Sequence, residues 1–553
     1  MNIKNHYYKN IFNIFICVVI AQSFLIAQNK QIFPFPIDTV DITGNFGEIR
    51  NLHFHQGIDF STKEKENLNV RSINDGFLYR IKISSVGYGK ALYVLHPRGI
   101  ISVYAHLNNY SPFIQNIIEQ YQIKNKTNEF DLILIKDSIK INKNDIVGFS
   151  GNTGGSTGPH LHFEIRNELT EIPINPFFYF DIKDTTAPEI KSLAVYNLTD
   201  TLNPHIIKIV SGLKIIDTVN INSSIIGFAF NGLDRQYPKG NPNNIYQVQI
   251  TFDGKTIYKH KLQYITFDNT MYVEYYAEKH EKQVFQKCFA PHLYPVDFYE
   301  VLVNKGRIQL LDTNYHKISF LFSDENNNQI LRELIIKTKN IQNYKSLQEG
   351  NIIYCNKVFH QKTKNFELTI SEKSLFQDNI GRFNYDTEKN KIIYTGTSYT
   401  LRYPAEVVVN IPPSMFDNKQ KVILQSNKRY YKPKEINKTA AIFNVNELSS
   451  YYILQDNIAP KVTPLHFNKK KKAIMTNSNQ VEVAFRVADN TIITEYAVYY
   501  NQQFCISYYD KKQKQIITKF PTEIIASDSD FIQIEVTDIA GNKTIKQYKL
   551  LVK

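Results

Sequence analysis

Four histidines and one aspartate in the first third of the chain fall into three short segments whose residue types and spacing suit a catalytic metal site. In His160-Leu-His162-Phe-Glu164-Ile-Arg166, an extended backbone puts both imidazoles on one face and Leu161, Phe163 and Ile165 on the other. The glycine-rich turn Gly151–Gly158 delivers this strand; no Gly-Lys-Ser/Thr follows it and a strand replaces the helix, so it is not a phosphate loop. Upstream, His55-Gln-Gly-Ile-Asp59 places His55 and Asp59 four apart, on one side of a strand. Gly57 and the β-branched Ile58 disfavour the helix that would also align them. Between these segments, Tyr104-Ala-His106-Leu107 closes a strand that pairs through His96-Pro-Arg-Gly99 with Lys90–Leu95. Two imidazoles and a carboxylate leave the fourth position of a tetrahedral zinc open for water, as catalytic rather than structural sites do. His55, Asp59 and His162 are therefore assigned as Zn2+ ligands. His106 and His160 remain for proton transfer and oxyanion stabilisation, because an imidazole can give or take a proton near neutral pH.

The sequence His-x-x-x-Asp, then Tyr-Ala-His-Leu, then Gly-Asn-Thr-Gly-x-Ser-Thr-Gly-Pro-His-Leu-His-Phe-Glu resembles the lysostaphin/LytM-type zinc endopeptidases over roughly Phe33 to Phe180. The resemblance implies the same roles: zinc held by His55, Asp59 and His162, with catalysis assisted by His106 and His160. It also implies a secreted zinc metallo-endopeptidase that hydrolyses peptide cross-links of bacterial cell-wall peptidoglycan, whose peptide stems are the partner. The alternative function is a catalytically silent LytM-like module that binds or activates another wall hydrolase; such modules usually lack ligands, and here every ligand is present. An iron(II) oxygenase triad usually has His and Asp two apart, which the spacing of four does not match. This chain departs from many relatives in a long segment, Asn108 to Ile146, between His106 and the glycine-rich turn.

Around these residues the chain is long enough, at 553 residues, for about three to five domains, and 42% hydrophobic residues supply their cores. The net charge of +13 is spread without an arginine-rich tract, which points to a lysine-rich solvated surface or an anionic wall and not to nucleic acid. Residues 1–28 read as a signal peptide, a weakly basic start followed by an apolar run too short and too interrupted to span a bilayer, so the expected location is the periplasm, cell envelope or extracellular space. No later segment could serve as a transmembrane helix. Past Cys17, the widely separated Cys288, Cys355 and Cys505 make no disulfide framework.

The expected fold class is mainly β: a lysostaphin/LytM-type antiparallel sheet domain over 29–186, then β-sandwich modules. Within the insertion, Phe113, Ile114, Ile117, Ile118 and Tyr121 predict one short amphipathic helix over Phe113–Tyr121. An internal repeat pairs Asp184-Thr-Thr-Ala-Pro with Asp456-Asn-Ile-Ala-Pro, and Ser323-Asp324 with Thr537-Asp538 ahead of Asn328 and Asn542. Together with Asp253-Gly254, a type I′ hairpin signal, the repeat predicts immunoglobulin-like modules over 187–345 and 457–553, with a β domain of unspecified type over 346–456. Lys469–Lys472 reads as a solvated turn. Because all five site residues precede Arg166, residues 29–186 are expected to fold and bind zinc without the modules.

Overall fold

The computed structural model describes residues 32–552 apart from 201, 213–215, 294–295, 340–351, 412–420, 428, 469, 471–472, 477–480 and 521–529. The expected leader lies outside the described residues, as do Lys469, Lys471 and Lys472 of the lysine run.

The protein is mainly β, as its alternating patterns require. Its first unit is a nine-stranded antiparallel sheet in the order Ile42–Gly44, Ile58–Ser61, His160–Asn167, Ile100–Ala105, Lys90–His96, Gly76–Ile83, Phe130–Ile133, with Lys140–Ile141 and Pro173–Ile174 appended. The central strands are buried on both faces. Leu92, Val94, Tyr104, Leu161, Phe163 and Ile165 pack into the main core with Phe60, Val147 and Phe180. The opposite face carries Ala91, Tyr93, Leu95, Ile101, Val103 and Ala105. A three-stranded sheet, Asn69–Arg71, Ile146–Phe149 and Asn109–Tyr110, leads the chain into the glycine-rich turn.

The insertion forms a helix over Pro112–Asn125, with proline in its first turn and a left-handed cap at Lys126. Ile114, Ile118 and Gln122 make its buried stripe at intervals of four. Phe113, expected on that stripe, is 62% exposed, since one residue is about 100° round the helix from Ile114.

Beyond residue 186 the chain builds paired sheets around separate cores. One core lies between strands from Glu189–Asn197 to Gln329–Thr338, a second between Phe359–Lys362 and Tyr451–Gln455, and a third between Lys461–Pro464 and Lys543–Val552. The first and last share an otherwise uncommon feature. Ile216–Ile221 runs parallel to Gln329–Thr338, and Ala473–Thr476 runs parallel to Lys543–Val552, so each final strand of a repeat closes its sheet in the same way. Asp253 and Gly254 have φ of 45° and 80°, which the tight Gln247–Phe252 to Lys255–Lys261 hairpin requires of both. Cys288 and Cys355 are buried and Cys505 half-buried, all as free thiols. Among the described residues no helix is long and apolar enough to cross a membrane.

Candidate metal centre

Register brings the site together. His162 lies directly opposite Asp59 on one side and Ala105 on the other, so the Asp59 and His162 side chains emerge on the same sheet face, beside the strand that ends at His106. His55 comes from the loop after His53–Phe54, with Gly57 pressed so closely on the Phe163 carbonyl that an added Cβ would sit 2.4 Å from that oxygen. Glycine is needed there because the ligand loop crosses directly over the His162 strand.

Three atoms converge. His55 Nε2 lies 2.9 Å from His162 Nδ1 and 3.1 Å from Asp59 Oδ1, and His162 Nδ1 lies 3.0 Å from the same oxygen. All three residues are buried. The tautomers are set from behind: His55 Nδ1 lies 2.8 Å from the Asn45 carbonyl and His162 Nε2 lies 2.8 Å from Glu164 Oε1, so each of these nitrogens carries its proton as a donor. What faces inward is then two imidazole lone pairs and a carboxylate oxygen. Three acceptors this close repel one another unless a cation sits among them. A tetrahedral zinc with bonds of about 2.0–2.2 Å would hold its ligand atoms about 3.3–3.6 Å apart, so a slight outward relaxation accommodates it. The donor set fits the expected metal.

The partners behind the ligands form a chain. Arg50 donates to Asp59 Oδ2 at 2.8 Å. Glu164, fully buried, accepts from Tyr88 Oη at 2.5 Å and from Arg166 Nε at 2.6 Å. Burial alone would raise the Glu164 carboxyl, but Arg166 and His162 outweigh it and hold it at about 2. Burial likewise opposes charge on His162, yet bonds to Asp59 and Glu164 raise it to about 9, so a proton competes with a metal for this position. Asp59 is held well below the usual carboxylate range, since its histidine neighbours overcome burial.

His106 and His160 stand beside this triangle. Their rings are 4.9 Å apart, and the His160 Nε2 atom lies 3.5 Å from Asp59 Oδ1. His106 Nδ1 donates to the Thr153 carbonyl and His160 Nδ1 to the Gly158 carbonyl, both at 2.8 Å, which leaves each Nε2 as the unprotonated nitrogen. Burial, with His162 and His160 nearby, lowers His106 to about 3; burial also lowers His160 despite Asp59. Both are therefore neutral imidazoles at neutral pH. His106 sits at φ 58°, a left-handed turn that swings its ring off the end of the strand toward His160.

All five residues expected from the sequence thus lie in one cluster. Residues 53–176 match the family model described as Peptidase family M23. This stretch is a peptidase family M23 domain. It is 31% identical over 122 residues to the DD-carboxypeptidase/endopeptidase Mpg of Neisseria meningitidis serogroup B, covering 22% of this chain and 22% of that protein. It is 34% identical over 122 residues to an uncharacterized metalloprotease of Buchnera aphidicola, covering 22% of this chain and 25% of that protein. The chain spans a quarter or less of the length of these relatives. Among solved structures, the catalytic domain of the antimicrobial peptidase lysostaphin from Staphylococcus simulans aligns at 22% identity and a TM-score of 0.18, over 24% of this chain and 86% of that one. A zinc-containing peptidase from Vibrio cholerae aligns at 24% identity and a TM-score of 0.20, over 26% and 39%.

The M23 domain is not free-standing in this chain. Phe46 and Phe54, which bracket the loop preceding His55, are completely buried against Tyr246, Leu262, Ile265, Tyr276 and Phe298. Asn45, whose carbonyl orients His55, exchanges bonds of 2.8 and 2.9 Å with the backbone of Asn244, and Gln56 reaches the Ile265 carbonyl. Part of the apolar cover of the loop that carries His55 therefore lies in the next module, which bears directly on the expectation that residues 29–186 fold and bind zinc without the modules. The last module reaches the site from the other end of the chain. Tyr508 Oη accepts the Gly154 N–H at 3.2 Å, and Lys512 Nζ donates to Asn152 at 2.5 and 2.8 Å. These contacts flank Thr153, whose carbonyl orients His106.

The five candidate residues are legible in the sequence, whereas the groups that aim them were not singled out there. Glu164 and Arg166 were visible on the His162 face by their period of two. Tyr88, Asn45, Arg50 and Tyr508 carried no such signal.

Proposed function

We propose that the M23 domain is a zinc metallo-endopeptidase that hydrolyses peptide cross-links of peptidoglycan. The observation that carries this reading is the convergence of His55 Nε2, Asp59 Oδ1 and His162 Nδ1 within 2.9–3.1 Å, with both imidazole protons turned outward. A zinc ion held there would supply a water acidified toward neutrality and a Lewis acid for a peptide carbonyl. The chain's own groups complete the chemistry. His106 and His160, neutral and with Nε2 unprotonated, can take a proton from an attacking water, and the resulting imidazolium can return it to the leaving amine. Once protonated, the same Nε2–H is a donor for the oxyanion. Their Nδ1–H bonds to the Thr153 and Gly158 carbonyls keep the rings from turning during the transfer.

The wall substrate is supported by the relative named DD-carboxypeptidase/endopeptidase and by the likeness to lysostaphin-type domains noted in the sequence. Export to the periplasm, envelope or exterior accords with the apolar leader, and the sandwich modules, read as immunoglobulin-like from the repeat, are proposed to position the domain on the wall. The silent-module alternative is disfavoured because the complete ligand set and both auxiliary histidines would have no role in it.

The test is incubation of the purified protein with insoluble peptidoglycan, with and without a chelator, followed by mass spectrometry of the released peptides. Chelator-sensitive release, restored by zinc, is expected. No release from a folded, zinc-loaded protein would overturn the reading.

A further inference from the structure

The two repeat modules each carry a triad of aspartates drawn from three distant segments. In the first, Asp184, Asp234 and Asp324 place carboxylate oxygens within 4.8 Å of one another; in the last, Asp456, Asp489 and Asp538 do the same. The two triads are superposable in their bonding. Asp324 binds the Asn328 side chain at 2.6 Å while Asn328 also donates to the Asp184 carbonyl; Asp538 binds Asn542 at 2.8 Å while Asn542 donates to the Asp456 carbonyl. The modules differ greatly in length between these points, 140 residues from Asp184 to Asp324 against 82 from Asp456 to Asp538, yet the cluster is retained.

An acidic cluster alone would be an unremarkable polar corner. Here, however, the central aspartate of each triad has an oxygen left over. Asp234 is 3% exposed; Arg235 N–H takes one of its oxygens, and its Oδ1 has no partner among the described residues. Asp489, at the equivalent position, takes the Thr491 N–H on Oδ1 at 2.8 Å and leaves Oδ2 buried and unpartnered. Among the described residues no lysine, arginine or histidine pairs with any of the six carboxylates. Burying a carboxylate oxygen without a donor costs free energy, and doing so twice at matching positions calls for a ligand that supplies positive charge. Burial, reinforced by Asp184, Glu325 and Asp324, raises Asp234 to about 8, the direction that a cation beside it would reverse.

We propose that each repeat module binds a calcium ion, through Asp184, Asp234 and Asp324 in the first and Asp456, Asp489 and Asp538 in the last. The donors are all oxygen, with no nitrogen or sulfur in either triad, which selects a hard cation and distinguishes these sites from the His–Asp–His centre. Calcium bonds of about 2.3–2.6 Å allow ligand atoms up to about 5 Å apart, which spans the observed 4.8 Å limit; magnesium demands a tighter octahedron.

Location gives the sites a consequence. Asp184 lies at the exit of the M23 domain, where Asn326, two residues past Asp324, also donates to the Ile182 carbonyl at 3.0 Å. Asp456 lies at the exit of the middle domain, where its N–H binds the Lys421 carbonyl at 3.0 Å and Asn490 donates to its Oδ1 at 3.0 Å. A cation at each triad would tie an incoming linker to two strand ends of the module that follows. Calcium therefore stiffens both joints, and with them the placement of the modules against the M23 domain.

The experiment uses the whole chain with its catalytic metal in place, dialysed extensively into calcium-free buffer and titrated with calcium chloride by calorimetry, with calcium counted independently by elemental analysis. The expected stoichiometry is two calcium ions per chain, with dissociation constants on the order of 10⁻³ M or tighter. Asp234→Asn and Asp489→Asn should each reduce the count to one, and the double variant to zero. Calcium should raise the melting temperature of the wild type and leave that of the double variant unmoved. In calcium-free buffer the double variant should melt no earlier than the wild type, because each substitution relieves carboxylate repulsion. No calcium bound by the wild type at about 10 mM would overturn the proposal without reference to any variant. So would an unchanged stoichiometry of two in a folded double variant, or a wild-type melting temperature indifferent to calcium, which would mean that protons alone neutralise the triads.

Discussion

Replacing Glu164 by glutamine tests whether the groups behind the metal ligands matter as much as the geometry indicates. The carboxylate is fully buried and serves three donors: His162 Nε2 at 2.8 Å, Tyr88 Oη at 2.5 Å and Arg166 Nε at 2.6 Å. A glutamine keeps the shape but can accept on one atom only, and its NH2 must face either Arg166 or the His162 and Tyr88 donors. Turned toward Arg166, it leaves a buried guanidinium whose nearest other carboxylate is Glu171 at 3.5 Å; turned the other way, it no longer fixes the His162 tautomer. Removing one partner of a buried ion pair costs roughly 3–5 kcal/mol of stability. Loss of a bond behind a metal-bound histidine typically weakens metal affinity by about 10–100-fold, or about 1.4–2.7 kcal/mol. E164Q should therefore melt well below the wild type and release zinc to a competing chelator at a correspondingly lower chelator concentration. Tyr88→Phe removes one bond to the same carboxylate and leaves its charge, so its loss should be nearer 1 kcal/mol. The reasoning fails if folded E164Q holds zinc as tightly as the wild type, or if Tyr88→Phe is the more damaging change.

His162→Ala should abolish stoichiometric zinc, whereas His106→Ala should keep it and lose about 10²–10⁴-fold in turnover; elemental analysis and muropeptide cleavage separate the two, and metal loss from His106→Ala would refute the division of roles. Tyr508→Phe combined with Lys512→Ala should lower turnover several-fold at unchanged zinc content, since it frees the segment whose Thr153 carbonyl orients His106; unaltered kinetics would show that the last module does not brace the site. A chain ending at residue 186 should be poorly soluble or bind zinc weakly, because it bares Phe46 and Phe54; a monomeric, fully zinc-loaded fragment would contradict this. His96 is buried and lowered to about 4, so the unfolded chain takes up its proton near pH 6.5 while the folded chain does not until about 4. The wild-type stability relative to His96→Gln should be full above pH 6.5 and shrink by on the order of 3 kcal/mol as the pH falls to 4; a difference independent of pH in urea titrations would exclude that histidine as the cause.

The sequence by itself determined which atoms could meet. The two-residue period of His160–Arg166 and the four-residue spacing of His55 and Asp59 are local properties of an extended chain, and local geometry alone decides which side chains share a face. The β class, the insertion helix and the repeat were legible for the same reason: periodicity and turn chemistry act within a few residues. Tertiary structure decided what lies across the sheet and between modules. That His162 pairs with Asp59 and with Ala105 is a matter of register between strands about 100 and 60 residues apart, which no local pattern specifies. The Glu164–Arg166–Tyr88 network, the Asn45–Asn244 clasp and the Tyr508 contact with Gly154 each join segments whose sequences bear no mark of one another. The aspartate triads stand between the two cases. Asp184, Asp324, Asp456 and Asp538 were visible as repeat landmarks, but only folding brought three carboxylates from segments as much as 140 residues apart within reach of one cation.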